Sequence, residues 1–180
     1  MIQNPGILVV GGARSGKSQF AERLAIKSGL PRVYVATCEA YDDEMRARID
    51  RHQRDRDHYW DTIEEQIDLV GVLAREAAAD RVLLVDCLTL WLSNLMMQER
   101  DLELESERLC AAVADLKGPC VFVSNEVGMG IVPDNRLSRS FRDAQGRLNQ
   151  DIGHICGKVV FVASGQPILL KPRQGPEIIL

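Results

Sequence analysis

The stretch Ile7–Ala25, "ILVVGGARSGKSQFAERLA", decides the fold. Four apolar residues, Ile7–Val10, run into a glycine-bearing loop that ends in Gly-Lys-Ser, and helical spacing (Phe20, Ala21, Leu24) begins at once. A short unbroken apolar run suits a strand covered on both faces, and the change of period marks a strand–loop–helix unit. Gly11, Gly12, Ala13, Arg14, Ser15, Gly16, Lys17 and Ser18 fit the pattern G-x-x-x-x-G-K-[ST]. Glycines let the backbone curl until several N–H groups converge on one anion, and the following helix adds its positive dipole end. The loop is therefore expected to cradle the phosphates of a nucleoside triphosphate. Lys17 is expected to reach the β- and γ-phosphates, and the Ser18 hydroxyl to ligate Mg²⁺.

Outward from this unit, apolar runs and helical patterns alternate. Arg32–Ala36, Arg81–Val85, Cys120–Ser124 and Lys158–Ala163 read as buried strands, and Ile168–Leu170 as a short edge strand. Helices are expected over Lys17–Lys27, Asp42–Arg56, Glu64–Ala79, Leu88–Met97, Glu103–Leu116 and Arg136–Cys156. The pattern is α/β, of the P-loop NTPase (RecA-like) class: a mostly parallel central sheet flanked by helices, with a short antiparallel edge strand. One domain is expected over residues 1–172, with 173–180 as a tail.

Composition narrows the function classes. The 180 residues carry 46 % hydrophobic and 27 % charged side chains, an ordinary globular mixture, and a formal net charge of −4, which leaves no overall basic footprint for nucleic acid. No apolar run has the length of a membrane span, and the N-terminus lacks the blocks of a signal peptide. Cys38, Cys87, Cys110, Cys120 and Cys156 are scattered, odd in number and without a C-x-x-C pair. They suit small core residues of a reducing cytoplasm.

Three further segments carry chemistry. Asp86 closes the apolar run Val82–Val85, where a carboxylate at a strand end can organise a metal; capping of the next helix is the other reading. "DDEMRARIDRHQRDRDHYW" packs five arginines around His52. With Asp50 and Asp55 interleaved it reads as a solvated, salt-bridged helix; alternatively His52 is a nucleophile or base beside phosphates, its neutral form favoured by the arginines. "SNEVGMGIVPDNRLSRSFRDAQGRLNQ", Ser124–Gln150, follows a buried strand, so Asn125 and Glu126 should emerge at the edge where α/β proteins bind ligands.

The strings "GGARSGKS", "DDEM…ARI…H" and above all "NEVGMGIVP…NR…FRD…G..NQ" resemble the bifunctional adenosylcobinamide kinase/adenosylcobinamide-phosphate guanylyltransferases of cobalamin synthesis, over about Ile7–Gly165. The resemblance implies two reactions: phosphorylation of adenosylcobinamide by a nucleoside triphosphate, then transfer of GMP from GTP to adenosylcobinamide phosphate through a guanylyl-histidine. The histidine that follows "ARI" is His52, and Arg51 stands where some relatives carry a second histidine. Guanine-nucleotide contacts are implied for Ala36, Thr37, Cys38, Gln53, Arg54, Asp55, Arg56, Glu64 and Asp86, and Mg²⁺ at Ser18 and Asp86, with GTP and ATP as substrates. Relatives often carry Ser or Gly at the Cys38 position, which suggests a backbone contact there. A homotrimer is also implied, for which "WLSNLMM" offers an apolar surface, and a corrin ring resting near Val127–Arg136. His58 and His154 lie outside the motif and are expected to be structural. Because a P-loop presents the γ-phosphate while His52 must meet the α-phosphorus, either the His52 helix moves or the nucleotide takes two poses. A simple small-metabolite P-loop kinase is the alternative.

Overall fold

The computed structural model describes residues 4–38, 59–173 and 175. Seven strands form one sheet: β1 (Gly6–Gly11), β2 (Arg32–Ala36), β3 (Trp60–Glu64), β4 (Val82–Asp86), β5 (Cys120–Asn125), β6 (Lys158–Ala163) and β7 (Gln166–Lys171). Their order is β3-β2-β4-β5-β1-β6-β7, parallel throughout except for the antiparallel pair β6–β7. The helices are α1 (Lys17–Lys27), α2 (Leu69–Glu76), α3 (Leu88–Met97), α4 (Leu102–Ala114) and α5 (Arg136–Ile155).

The apolar runs are continuous because the sheet is covered on both faces. Leu8, Val10, Val33, Val35, Leu83, Val85 and Phe122 point into a core shared with α2–α5; Val9, Leu84, Val121, Val123 and Val162 point the other way, towards α1. Ala21 and Ala25 are fully buried, and their small side chains let α1 lie close on its face of the sheet. The β6–β7 hairpin turns at Ser164 and Gly165, both with positive φ.

One expected helix is different in the structure. Glu64–Ala79 divides into the end of β3, a turn, and α2 from Leu69. Trp60, Thr62 and Ile63 favour a strand, and β3 pairs with β2 from Arg32↔Trp60 to Ala36↔Glu64. Glu65 Oε1 then accepts from the Ile67 and Asp68 N–H groups, and Asp68 caps α2 by accepting from Gly71 N–H at 3.0 Å. The helix expected over Asp42–Arg56 lies outside the described residues. "WLSNLMM" belongs largely to the core of this chain: Trp91, Leu92 and Leu95 are fully buried, which leaves Met97 as its exposed apolar residue.

Candidate active site

The C-terminal edge of the parallel strands collects the polar residues. The loop leaving β1 turns at once, with Ser15 N–H donating to Gly12 O. Gly16 sits at φ +92° as the N-terminal cap of α1, a conformation that disfavours any side chain. The loop is braced by the β6–β7 turn, where Gly165 N–H donates to Ser15 O at 2.8 Å. Gly11 allows an equally close approach: a Cβ there would lie 2.4 Å from Val162 O. Lys17 is only 8 % exposed, and its Nζ donates to Gly12 O at 3.1 Å, so the ammonium is folded back over the loop. Ser15 Oγ is buried without a hydrogen-bond partner, as a group awaiting an anion in the cradle would be. Ala13 and Arg14 are exposed on the loop's outer side, and Ser18 is half-buried in the first turn of α1.

Asp86 ends β4, two strands from β1 with β5 between, or roughly 10 Å across the sheet. Its carboxylate accepts from the buried Tyr34 hydroxyl at 3.3 Å, and Tyr34 in turn packs edge-on against Trp60. The same edge holds Ala36 and Glu64, in register with Asp86 on adjacent strands β2 and β3. The structure thus aligns Asp86, Ala36 and Glu64 on one side of β5 and the phosphate loop on the other. Cys38 is half-buried just beyond β2. His52, Gln53, Arg54, Asp55, Arg56 and His58 lie outside the described residues. His154 is on α5, its Nδ1 2.8 Å from Gln150 O.

Thr37 is fully buried. Its Oγ1 donates to Cys87 O and accepts from Cys87 N–H, both at 2.7 Å, while its carbonyl accepts from Asn94 Nδ2 at 2.8 Å. The hydroxyl therefore ties the end of β2 to the turn after Asp86. Burial, and secondarily the Asp86 charge, push the Cys87 thiol up to about 12; Lys17 lies near enough to act on it in the opposite direction. A thiol so placed stays protonated and is no nucleophile.

Oxygen donors are what this edge offers a metal. Ser18 brings a hydroxyl and Asp86 a carboxylate, and no group of three or more His, Cys, Asp or Glu side chains among the described residues could hold a metal ion. Mg²⁺ suits such a site, because it is commonly held by one or two protein oxygens together with substrate phosphates and water.

Tyr34, Thr89, Asn94 and Gln145 escape a reading of local strings. A parallel sheet with helices on both faces, and a braced phosphate-binding loop leading from β1 into α1, define a P-loop NTPase fold. Solved structures of that shape include a protein from Pyrococcus horikoshii OT3 (TM-score 0.53, 10 % identity, covering 93 % of this chain and 87 % of that one). Another is the flagellar accessory protein FlaH from Methanocaldococcus jannaschii (TM-score 0.51, 13 % identity, 94 % and 79 %). The family described as cobinamide kinase / cobinamide phosphate guanyltransferase matches residues 7–170, and the chain belongs to that family. It is 48 % identical over 166 residues to the bifunctional adenosylcobalamin biosynthesis protein CobP of Pseudomonas aeruginosa, covering 91 % of this chain and 96 % of that one. It is 40 % identical over 181 residues to the corresponding protein CobU of Salmonella typhimurium, covering 92 % and 99 %. Among the described residues, no helix is long and apolar enough to cross a membrane.

Proposed function

We propose that this chain phosphorylates adenosylcobinamide with ATP or GTP and then transfers GMP from GTP to the resulting phosphate, giving adenosylcobinamide-GDP. Family membership over residues 7–170 gives the reaction class, and the observation that carries the reading is the phosphate cradle with Lys17 folded over it.

In the kinase step the acceptor hydroxyl attacks the γ-phosphorus, the bond from that phosphorus to the β-phosphate oxygen breaks, and the nucleoside diphosphate leaves. Gly11–Ser18 hold the phosphates through backbone N–H groups, and Lys17 meets the charge that builds on the leaving oxygens. Ser18 and Asp86 would hold Mg²⁺, which when bound neutralises phosphate charge. In the transfer step a neutral ring nitrogen of His52 attacks the α-phosphorus of GTP and pyrophosphate departs. An oxygen of adenosylcobinamide phosphate then displaces the histidine and takes the GMP. Ala36, Cys38, Glu64 and Asp86, with Gln53, Arg54, Asp55 and Arg56, form the guanine-nucleotide side, and Thr37 supports it through Cys87. Glu64 is four strand spacings from β1, roughly 19 Å, which favours two nucleotide poses along the edge.

The corrin ring rests on the exposed apolar loop after β5, where Met129, Ile131 and Val132 stand clear of the core. The working unit is a homotrimer in the cytoplasm, built on one domain over 1–172. The test is mass spectrometry of products from adenosylcobinamide, Mg²⁺, ATP and GTP. The expected result is adenosylcobinamide phosphate followed by adenosylcobinamide-GDP. Phosphorylation alone would reduce the reading to a simple kinase, and neither product would overturn it.

A further inference from the structure

Strand β4 stops two residues short of the end of its neighbour β5. Its register with β5 ends at Asp86↔Val123, whereas β1 continues alongside β5 to Gly11↔Asn125. Along a strand, the N–H and C=O of one residue point to the same side, and the next residue's point to the other. Glu126 N–H donates to Gly11 O, so both backbone groups of Asn125 face away from β1, where β4 has already ended. Side chains from two helices take the place of the missing strand. Asn125 N–H donates to Thr89 Oγ1 on α3 at 2.8 Å, and Asn149 Nδ2 on α5 donates to Asn125 O at 3.0 Å. Asn149 is itself fixed: its Oδ1 accepts from Ser124 Oγ at 2.6 Å and from Gln145 Nε2 at 3.0 Å. Gln145 also donates to Ser124 Oγ at 2.9 Å, and both of these residues are fully buried.

Side chains alternate along a strand. Val123 faces the α1 core and Ser124 faces α5, so Asn125 returns to the α1 face, beside Gly11 and the phosphate loop. Among the described residues no hydrogen bond engages its carboxamide. Burying polar groups is costly, and although Gln145 Oε1 is left buried without a partner, Thr89, Gln145, Asn149 and Ser124 combine to fix the backbone of one residue whose own amide is left to a ligand. We propose that Asn125 is a catalytic residue of the kinase step, its Nδ2–H donating to a γ-phosphoryl oxygen during transfer, with Asn149 and Thr89 as positioning residues. The inference rests on the phosphoryl-transfer reading above. The new bond joins the acceptor oxygen to phosphorus, the broken one releases the β-phosphate oxygen, and the hydroxyl proton passes to solvent. Asn125 itself neither gains nor loses a proton.

The experiment follows release of the γ-phosphate from Mg²⁺-ATP and Mg²⁺-GTP, with and without cobinamide, alongside nucleotide titrations and melting curves. Asn125→Ala should slow release about 100-fold, the scale set by losing one oriented donor, with nucleotide affinity nearly unchanged. Asn149→Ala and Thr89→Val should also slow it, while Thr89→Ser, which keeps the acceptor oxygen, stays near the parent rate. Asn149→Ala should add less than about threefold to Asn125→Ala, since it acts through that residue. A parent-like rate in Asn125→Ala overturns the inference, as does a fully additive double variant. Failure of the parent chain to phosphorylate cobinamide would instead count against the functional reading, while phosphate lost to water still reports on Asn125.

Discussion

Gly16 and Gly165 meet so closely that a Cβ on Gly16 would come 3.1 Å from the Gly165 Cα. The contact seats the phosphate loop on the β6–β7 turn, where the Gly165 N–H also holds Ser15 O. Because Gly16 has φ +92°, Gly16→Ala combines backbone strain with crowding. The expected cost is about 1–3 kcal/mol, together with weakened nucleotide binding, read by melting and by nucleotide titration. Gly12→Ala is the contrast: a Cβ there meets nothing within 4 Å, so its melting should shift by no more than about 0.5 kcal/mol.

Lys17 is buried over the loop, and removing it deletes the ammonium that donates to Gly12 O. Lys17→Ala should lower kcat for phosphorylation by roughly 100-fold or more. Lys17→Arg should recover little of it, because a guanidinium is larger and cannot act as the same compact point charge. Steady-state rates with a melting control check both variants.

Thr37 and Cys87 exchange two hydrogen bonds at full burial. Thr37→Val keeps the shape but strands the Cys87 N–H, while Cys87 O still accepts from Trp91 N–H, at about 1–3 kcal/mol in a denaturant titration. Thr37→Ser retains the oxygen and should lose well under half of that. Equal losses in the two variants would show that the methyl, not the hydroxyl, matters.

Burial raises the thiols of Cys87 and Cys156 to about 12 and that of Cys110 to about 11, from 9.0. A proton held more tightly in the folded chain stabilises it fully below pH 9, and that contribution is lost as pH rises towards 11–12. Denaturant midpoints should therefore fall between pH 9 and 11. Cys156→Ala, which removes one such group, should fall less steeply.

The strand–loop–helix unit was legible because its signals are local: an apolar run, three glycines and a lysine within twelve residues, Ile7–Ser18. The buried strands β2, β4, β5 and β6 announced themselves by unbroken apolar runs for the same reason. Strand β3 did not. It lies at the sheet edge with Asp61, Thr62 and Glu64 exposed, so no buried run marks it, and the apolar spacing of α2 invites extending a helix back to Glu64.

Thr37, Thr89, Asn94 and Asn149 were illegible as a support because their partners are distant in the chain. Thr37 meets Cys87 fifty positions away, and Thr89 meets Asn125 thirty-six away. Only the strand order brings these ends together. The string "G..NQ" did point to Asn149, but the reason for an asparagine there emerges only when β4 is seen to stop at Asp86.

The most direct test of the two-reaction account is the mass of the protein after exposure to Mg²⁺-GTP in the absence of acceptor. The account predicts a GMP adduct on the peptide carrying His52, labile to acid, discharged by adenosylcobinamide phosphate and missing in His52→Ala. GMP transfer that persists in His52→Ala, or an adduct on any other residue, would contradict it.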